Sequence, residues 1–180
     1  MQVIAISGKA FHGKSTVAEM GAKFLRDNGK SALVVNYGDL VKFFATKYFG
    51  WDGSKDESGR RLLQTIGTEI FRKEKPNYWV EFVAEALSIF DAHGDSWDYV
   101  LVGDVRFPNE IEVLRDYGLN VIHLRIERPG HTGNMTEAQL HHISETALDE
   151  YAADYRICND AGLDELNGKV NLFFNSLIGE

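Results

Sequence analysis

The strongest constraint on the fold of this chain is one stretch near its start, residues 8–15, with the sequence GKAFHGKS. It fits G-x-x-x-x-G-K-[ST], the pattern of a glycine loop that holds phosphate groups between a strand and a helix. The apolar run at residues 3–6 predicts a buried strand before the loop, and residues 16–20 predict a helix after it. Because the motif requires this context, we interpret the stretch as a working phosphate site.

The residues of the motif have separate roles in holding phosphate. Glycine allows the tight turn that brings backbone N–H groups against phosphate oxygens, and the helix N-terminus adds its positive end. We expect Lys14 to reach the β- and γ-phosphates of a nucleotide, Ser15 to hold Mg²⁺ and Thr16 to contact the α-phosphate. The predicted nucleotide contacts in the loop are Gly8, Ala10, Gly13, Lys14, Ser15 and Thr16.

Composition narrows the class of protein. The 180 residues, 44% of them hydrophobic, fit a single domain with a packed core. The net charge of −8 argues against a general nucleic-acid or membrane surface, so phosphate binding depends on local basic clusters. A single cysteine, Cys158, excludes an internal disulfide and fits a reducing compartment. With no bilayer-spanning stretch and no secretion signal, we expect a cytoplasmic protein without nucleic-acid or membrane partners.

The remainder of the chain alternates strand and helix patterns. Its strands are unbroken apolar runs, which are typical of strands buried on both faces of a parallel sheet. The predicted class is α/β, a three-layer P-loop NTPase sandwich with a five-stranded parallel sheet and helices on both faces. The predicted strands lie at residues 3–6, 31–37, 99–104, 120–126 and 155–159. Two segments interrupt this alternation, namely a helical insert at about 38–75 and a polar, glycine-bearing lid at about 127–147.

Charged residues follow the predicted strands at the sheet edge where α/β proteins bind ligands. Asp39 follows the second strand, where it suits either a substrate contact or a helix N-cap. Asp104 ends the third strand in a Walker-B-like pattern, whose carboxylate can hold Mg²⁺ directly or through water. Arg106 lies two residues further on and suits a phosphate group. An ion pair between Asp104 and Arg106 is the structural alternative.

Arginine residues are frequent near the strand ends, the insert and the lid: Arg60, Arg61, Arg72, Arg106, Arg125 and Arg128. On the helix predicted over residues 60–72, Arg61 and Gln64 share a face beside Arg60, which fits phosphate binding or an ordinary solvated surface. A phosphate acceptor needs no general base, because its second pKa of about 6 leaves it mostly dianionic at pH 7. Its binding depends instead on bidentate arginines.

Several classes of nucleotide-binding protein can be distinguished by the group that accepts the phosphoryl and by the residues that recognise the base. A hydroxyl acceptor needs a base, for which Asp39 is the candidate, whereas the arginines favour a phosphate acceptor. The sequence lacks the Asn-Lys-x-Asp that a switch GTPase uses to recognise guanine. A small P-loop domain with an insert and a lid therefore indicates a nucleotide-type kinase.

Several longer motifs resemble the bacteriophage deoxynucleoside monophosphate kinases, within the nucleoside monophosphate kinase superfamily. They are the loop at residues 8–16, LQTIGT at 63–68 with Arg72 and Trp79, DVRFPNE at 104–110, HISE at 142–145 and ND at 159–160. The resemblance covers most of the chain. It implies Mg²⁺-dependent transfer of the γ-phosphoryl group of ATP to a deoxynucleoside 5′-monophosphate. It also suggests that the protein forms a homodimer.

The resemblance implies roles for individual residues. The implied catalytic set is Lys14, Asp104, Arg106 and the lid arginine Arg128, and Asn159 is implied near the adenine. The implied acceptor contacts are Asp39, Lys42, Arg60, Arg61, Gln64, Arg72, Trp79, Arg106, Glu110 and Glu145. The implied magnesium ligands are Ser15 and Asp104. Dephospho-coenzyme A kinases, nucleoside kinases and a nucleotide-binding module without catalysis are the alternatives.

Overall fold

Five parallel strands form a single sheet at the centre of the fold. The computed structural model describes residues 1–54, 56–94, 97–133 and 135–179. The strands are β1 (Gln2–Ser7), β2 (Ala32–Val35), β3 (Tyr99–Val105), β4 (Asn120–Glu127) and β5 (Tyr155–Cys158). Their order is β2-β3-β1-β4-β5, and every neighbouring pair is parallel. The predicted α/β class with a five-stranded parallel sheet is confirmed.

Helices cover both faces of the sheet, because side chains alternate between the faces along each strand. Ile4 and Ile6 of β1 pack against a layer built by α1 (Lys14–Asp27) and α8 (Leu163–Ile178). Gly21 lets these two helices approach closely, since a Cβ at this position would lie 2.2 Å from Cε2 of Phe174.

The opposite face belongs to a second core cluster, which contains Val3 and Ala5 of β1. The helices on this side are α2 (Tyr37–Phe49), α4 (Tyr78–His93) and α5 (Asn109–Asp116). Among their buried residues, Trp79 and Leu114 belong to the same cluster. The sheet is therefore the middle layer of three, and its carboxyl edge remains open for a site.

The helical insert between β2 and β3 contains a π-helical turn that the sequence does not predict. The sequence predicts a regular helix over residues 60–72, but α3 (Glu57–Gln64) continues as a π-helix over Thr65–Arg72. Within the wider turn, the Gly67 carbonyl accepts a hydrogen bond from Trp79 Nε1 at 3.2 Å. Gly67 itself faces Val41, where a Cβ would meet Cγ2 at 3.3 Å. π-helical turns are rare and often lie at functional sites, and this one ends at Arg72.

The segment between β4 and β5 carries two short helices, α6 (Glu137–Leu140) and α7 (Ile143–Thr146). Thr136 and Gln139 form a capping box at the start of α6, since the side chain of each residue accepts a hydrogen bond from the backbone N–H of the other. None of the helices within the described residues has the length and apolar character needed to cross a membrane.

Candidate active site

The glycine loop joins β1 to α1 at the carboxyl edge of the sheet. Gly8 has φ +148°, and a Cβ there would lie 2.4 Å from the carbonyl oxygen of Ile126 on β4. Gly13 has φ +97°, and a Cβ there would lie 2.9 Å from Nδ2 of Asn159. Both positions therefore require glycine, for conformation and for space. Because α1 starts at Lys14, its unpaired N-terminal N–H groups lie at the loop, where they can bind an anion.

Lys14 lies folded against the loop that precedes it. Its Nζ donates to the carbonyl oxygens of Gly8 at 2.8 Å and Lys9 at 3.0 Å, and the residue is 8% exposed. Burial, together with the charge of Arg106, lowers the pKa of Lys14 to about 8. Glu145 and Asp104 oppose this decrease in pKa. The ammonium therefore lies among charged groups from two other segments, the end of β3 and α7.

A cavity of about 770 Å³ opens beside the loop. Its lining brings together the loop, the end of β3, the segment after β4, and the β5–α8 connection. The residues predicted as functional that line it are Ala10, Gly13, Lys14, Ser15, Thr16, Asp104, Arg106, Arg128 and Asn159. A volume of this size suits a small-molecule site.

Asp104 lies at the end of β3 and caps a helix that is distant in sequence. Its Oδ1 accepts from the Tyr37 N–H and its Oδ2 from the Gly38 N–H, both at 2.9 Å. Because these bonds satisfy the first amides of α2, the helix begins at Tyr37. Asp39 lies inside its first turn, so the N-cap alternative for Asp39 is wrong. Burial raises the pKa of Asp104, and the two N–H groups and Arg106 oppose that rise.

Glu110 organises the segment that follows β3. Its Oε2 accepts from the backbone N–H groups of Arg106 at 2.7 Å and Phe107 at 3.1 Å. Its Oε1 accepts from Nη2 of Arg72 at 2.6 Å, and the Arg72 guanidinium carbon lies 4.2 Å from the Phe107 ring centroid. Burial raises the pKa of Glu110, and Arg72 opposes the rise. Glu110 is 3% exposed and positions Arg72 and the backbone of Arg106, while its predicted substrate contact stays a prediction.

Arg106 faces the glycine loop across the cavity. Its Nη1 donates to Oε1 of Glu145, and Oε2 of Glu145 accepts from the backbone N–H of Ala10 at 2.6 Å. The Glu145 side chain is 7% exposed and the Arg106 side chain 35% exposed. Arg106 therefore forms its ion pair with Glu145 and not with Asp104, which was the structural alternative.

The predicted acceptor contacts on the insert occupy different environments. Asp39 and Lys42 form an ion pair at 2.6 Å in the first turns of α2. Trp79, which follows the insert on α4, is 3% exposed, and its ring centroid lies 4.7 Å from that of Phe71. It packs in the core here, and its substrate contact stays a prediction. The remaining three, Arg60, Arg61 and Gln64, are exposed on α3 and do not belong to the lining of the cavity.

The other side of the cavity is joined to the loop through His12. His12 Nδ1 accepts from the backbone N–H of Arg128 at 3.2 Å, and the His12 carbonyl accepts from Nδ2 of Asn159 at 3.0 Å. Burial lowers the pKa of His12, which favours the neutral ring that this acceptor role needs. Sequence reasoning missed His12, because it occupies a position where the motif allows any residue.

A second connection between this segment and the loop was also missed. Lys9 Nζ lies 3.0 Å from Oδ2 of Asp149, whose Oδ1 lies 2.7 Å from Nη2 of Arg125. Arg125 is 7% exposed and also donates to the Leu148 carbonyl. Arg125 therefore has a structural role in anchoring the segment before β5. No sequence pattern marks Asp149 as its partner.

Comparison with known proteins agrees with this arrangement. Residues 2–170 match the family described as deoxynucleotide monophosphate kinase. The deoxynucleotide monophosphate kinase of Enterobacteria phage T4 is 31% identical over 175 residues, which cover 94% of this chain and 66% of the phage protein. That of Escherichia phage RB69 is 37% identical over 112 residues, covering 62% of this chain and 42% of the phage protein. The chain thus spans from about two fifths to just under two thirds of the length of these relatives.

Solved structures support the fold independently. The APS kinase of Mycobacterium tuberculosis, in complex with AMPPNP and APS, superposes with a TM-score of 0.54 over 97% of both chains. The sequence identity is 14%, so this likeness concerns the fold alone. A glycine loop of the required geometry, the cavity beside it and the match over residues 2–170 lead to one assignment: the chain belongs to the deoxynucleotide monophosphate kinase family.

Proposed function

We propose that this protein transfers the γ-phosphoryl group of ATP to a deoxynucleoside 5′-monophosphate. The observation that carries the proposal is the pairing of two cationic phosphate-binding groups across one cavity. Lys14 lies in the glycine loop, and Arg106 lies opposite it, with the carboxylate of Glu145 between Arg106 and the loop amide of Ala10. Phosphoryl transfer needs such an arrangement, because most of its catalysis is alignment and charge neutralisation.

The reaction follows from these charges. Lys14 and the loop amides hold the donor phosphates, and Arg106 holds the phosphate of the acceptor. An oxygen of the acceptor phosphate attacks the γ-phosphorus while the bond from that phosphorus to the bridging oxygen breaks, and ADP leaves. No general base is needed, because the acceptor phosphate is already mostly dianionic at neutral pH. Arg128, on the lid side of the cavity, supplies a further cation for the transferred group.

The residues present also suit Mg²⁺. Ser15 is exposed at the cavity, and its hydroxyl has no hydrogen-bond partner among the described residues. Asp104 lines the same cavity, and each of its oxygens accepts a single backbone N–H, which leaves lone pairs on both. Hydroxyl and carboxylate oxygens are hard ligands of the type that Mg²⁺ prefers. The ion, when bound, neutralises charge on the transferred phosphoryl group.

Two further assignments belong to the proposal. Residues of about 38–75 form the acceptor-binding insert, in which Arg72 is the arginine linked to the site through Glu110. Residues of about 127–147 form the lid, which carries Arg128 and contacts the loop through Glu145.

The test is ADP release from Mg-ATP with a panel of acceptors. The panel contains the deoxynucleoside monophosphates, their ribose forms, the free nucleosides and dephospho-coenzyme A. We expect turnover with deoxynucleoside monophosphates. Turnover with nucleosides alone would make Asp39 a catalytic base, and turnover with dephospho-coenzyme A alone would assign the other acceptor class. Absence of turnover with all of them would leave a nucleotide-binding module.

A further inference from the structure

The carboxylate of Glu145 binds the glycine loop on the side that faces Arg106. Its Oε2 accepts from the Ala10 N–H at 2.6 Å, inside the loop at residues 8–15, and its Oε1 pairs with Arg106. The side chain is 7% exposed. An anion that binds a loop amide on one side and a guanidinium on the other makes the contacts expected of a phosphoryl group.

The segment that carries Glu145 is docked on the loop by more than this residue. Asp149, four residues further on, pairs with Lys9 of the loop at 3.0 Å. His142 caps α7 by accepting from the Ser144 N–H at 3.2 Å, which orients the helix on which Glu145 lies. Two carboxylates from one segment therefore bind the loop, Glu145 at Ala10 and Asp149 at Lys9.

The contact of Glu145 cannot coexist with a bound phosphoryl group in the same place. The Ala10 amide has a single hydrogen to donate, and it is used. A second anion beside a buried carboxylate is repelled strongly, since little water separates the two charges. Arg106 is likewise engaged, so its charge is already neutralised before any substrate arrives.

We propose that Glu145 is an internal competitor of phosphate, which occupies the phosphoryl position in the nucleotide-free protein and leaves it when the donor binds. Its departure frees Arg106 for the phosphate of the acceptor. This second step rests on the proposed function. Because coupling between two ligands is reciprocal, donor and acceptor then strengthen the binding of each other.

The first experiment measures binding of inorganic tripolyphosphate, with Mg²⁺, by titration calorimetry. Glu145→Gln keeps the shape and an acceptor oxygen but removes the charge, so we expect it to bind tripolyphosphate about tenfold more tightly than the wild type. Glu137→Gln is the matched control, because Glu137 lies in the same segment with a side chain that is 87% exposed. It should bind as the wild type does. Unchanged or weaker binding by Glu145→Gln overturns the proposal.

Thermal melting checks that the variant is folded, and Glu145→Ala is measured in the same way if Glu145→Gln is not. No turnover enters this experiment. If every acceptor in the panel failed while Glu145→Gln still bound tripolyphosphate more tightly, the proposed reaction would be wrong and the competition by Glu145 would stand.

The second experiment measures the coupling itself. The affinity for a deoxynucleoside monophosphate is compared with and without a non-hydrolysable ATP analogue. In the wild type we expect the analogue to tighten acceptor binding by about tenfold. In Glu145→Gln the acceptor should bind tightly without the analogue, so the ratio of the acceptor Kd without the analogue to the Kd with it should approach one. An equal ratio in the two proteins contradicts the release of Arg106 by Glu145.

Discussion

The two sides of the cavity are built in different ways. The glycine-loop side comes from one contiguous stretch at residues 8–15, and backbone geometry at Gly8 and Gly13 holds its shape. The side that carries Asp104 and Arg106 lines the cavity only at the end of β3. These two residues are held by contacts with α2, the segment after β3 and α7, which lie outside the cavity lining. Buried carboxylates hold these parts together, with Asp104 at the start of α2 and Glu110 between Arg72 and Arg106.

This difference has a functional consequence. The loop side presents backbone N–H groups, which keep their direction whatever the state of the side chains. On the other side the cations are paired with carboxylates of the protein itself, Arg72 with Glu110 and Arg106 with Glu145. The loop side is therefore preformed for phosphate except at the Ala10 amide, which is bound to Glu145, whereas Arg106 has to exchange one anion for another.

Removing the lysine of the loop should produce the largest effect. Lys14→Ala should lower kcat by about three orders of magnitude, because the charge that stabilises the transferred phosphoryl group is lost. Lys23→Ala is the control on the same helix, with a side chain that is 76% exposed. Steady-state ADP release measures both, and circular dichroism should show an unchanged fold. Normal turnover in Lys14→Ala would contradict the assignment of the loop as the donor site.

Removing the arginine of the opposite side should have the next largest effect and should separate the two sides kinetically. Arg106→Ala should lower kcat/KM for the acceptor by about a hundredfold while the KM for ATP changes little. Arg115→Ala is the control, since Arg115 lies in the last turn of α5 and pairs with Asp154 at 3.2 Å. Equal decreases in kcat/KM for ATP and for the acceptor would contradict the assignment of Arg106 to the acceptor side.

The buried carboxylate on the acceptor side should affect stability as well as activity. Glu110→Ala leaves Arg72 and two backbone N–H groups without their acceptor, so it should lower the free energy of unfolding by about 3 kcal/mol. Glu112→Ala, exposed on the same helix, should change it little. Urea denaturation measures both variants. A loss as small as that of Glu112→Ala would mean that Glu110 does not hold this side together.

The smallest expected effect concerns the underside of the loop. His123 is fully buried, its Nε2 lies 2.7 Å from the hydroxyl of Ser7 at the end of β1, and its Nδ1 lies 3.1 Å from the Ala152 carbonyl. Burial lowers the pKa of His123 below 6.5. The unfolded chain therefore binds a proton at this residue before the folded chain does, and folding stability falls as the pH drops below 6.5.

The loss from this residue cannot exceed about 1.4 kcal/mol for each pH unit below its ordinary pKa, and it ends at the pH where the folded ring also binds a proton. His123→Asn removes the titrating ring, so its unfolding free energy should depend less on pH between 6.5 and 5 than that of the wild type. Denaturation curves over this range measure the two slopes, and the comparison does not depend on the absolute stability of the variant. Parallel slopes would show that His123 does not contribute to acid sensitivity.

The sequence by itself determined the sheet and the donor side of the site. Apolar runs of four or more residues predict buried parallel strands, and the spacing of the loop predicts its glycine conformations, because both depend on neighbours in the chain. The same holds for the capping box of α6, where Thr136 and Gln139 are three residues apart. Each of these features is decided by local interactions.

Only the tertiary structure decided the opposite side. The start of α2 depends on Asp104, 67 residues from Tyr37, and the contact between Glu145 and Ala10 joins residues 135 apart. The burial of Trp79 and the π-helical turn likewise depend on packing between separate helices. In a sequence, Asp and Glu residues look alike whether they cap a helix, position an arginine or occupy a phosphate site. The role of each is set by the donors that the fold brings to it.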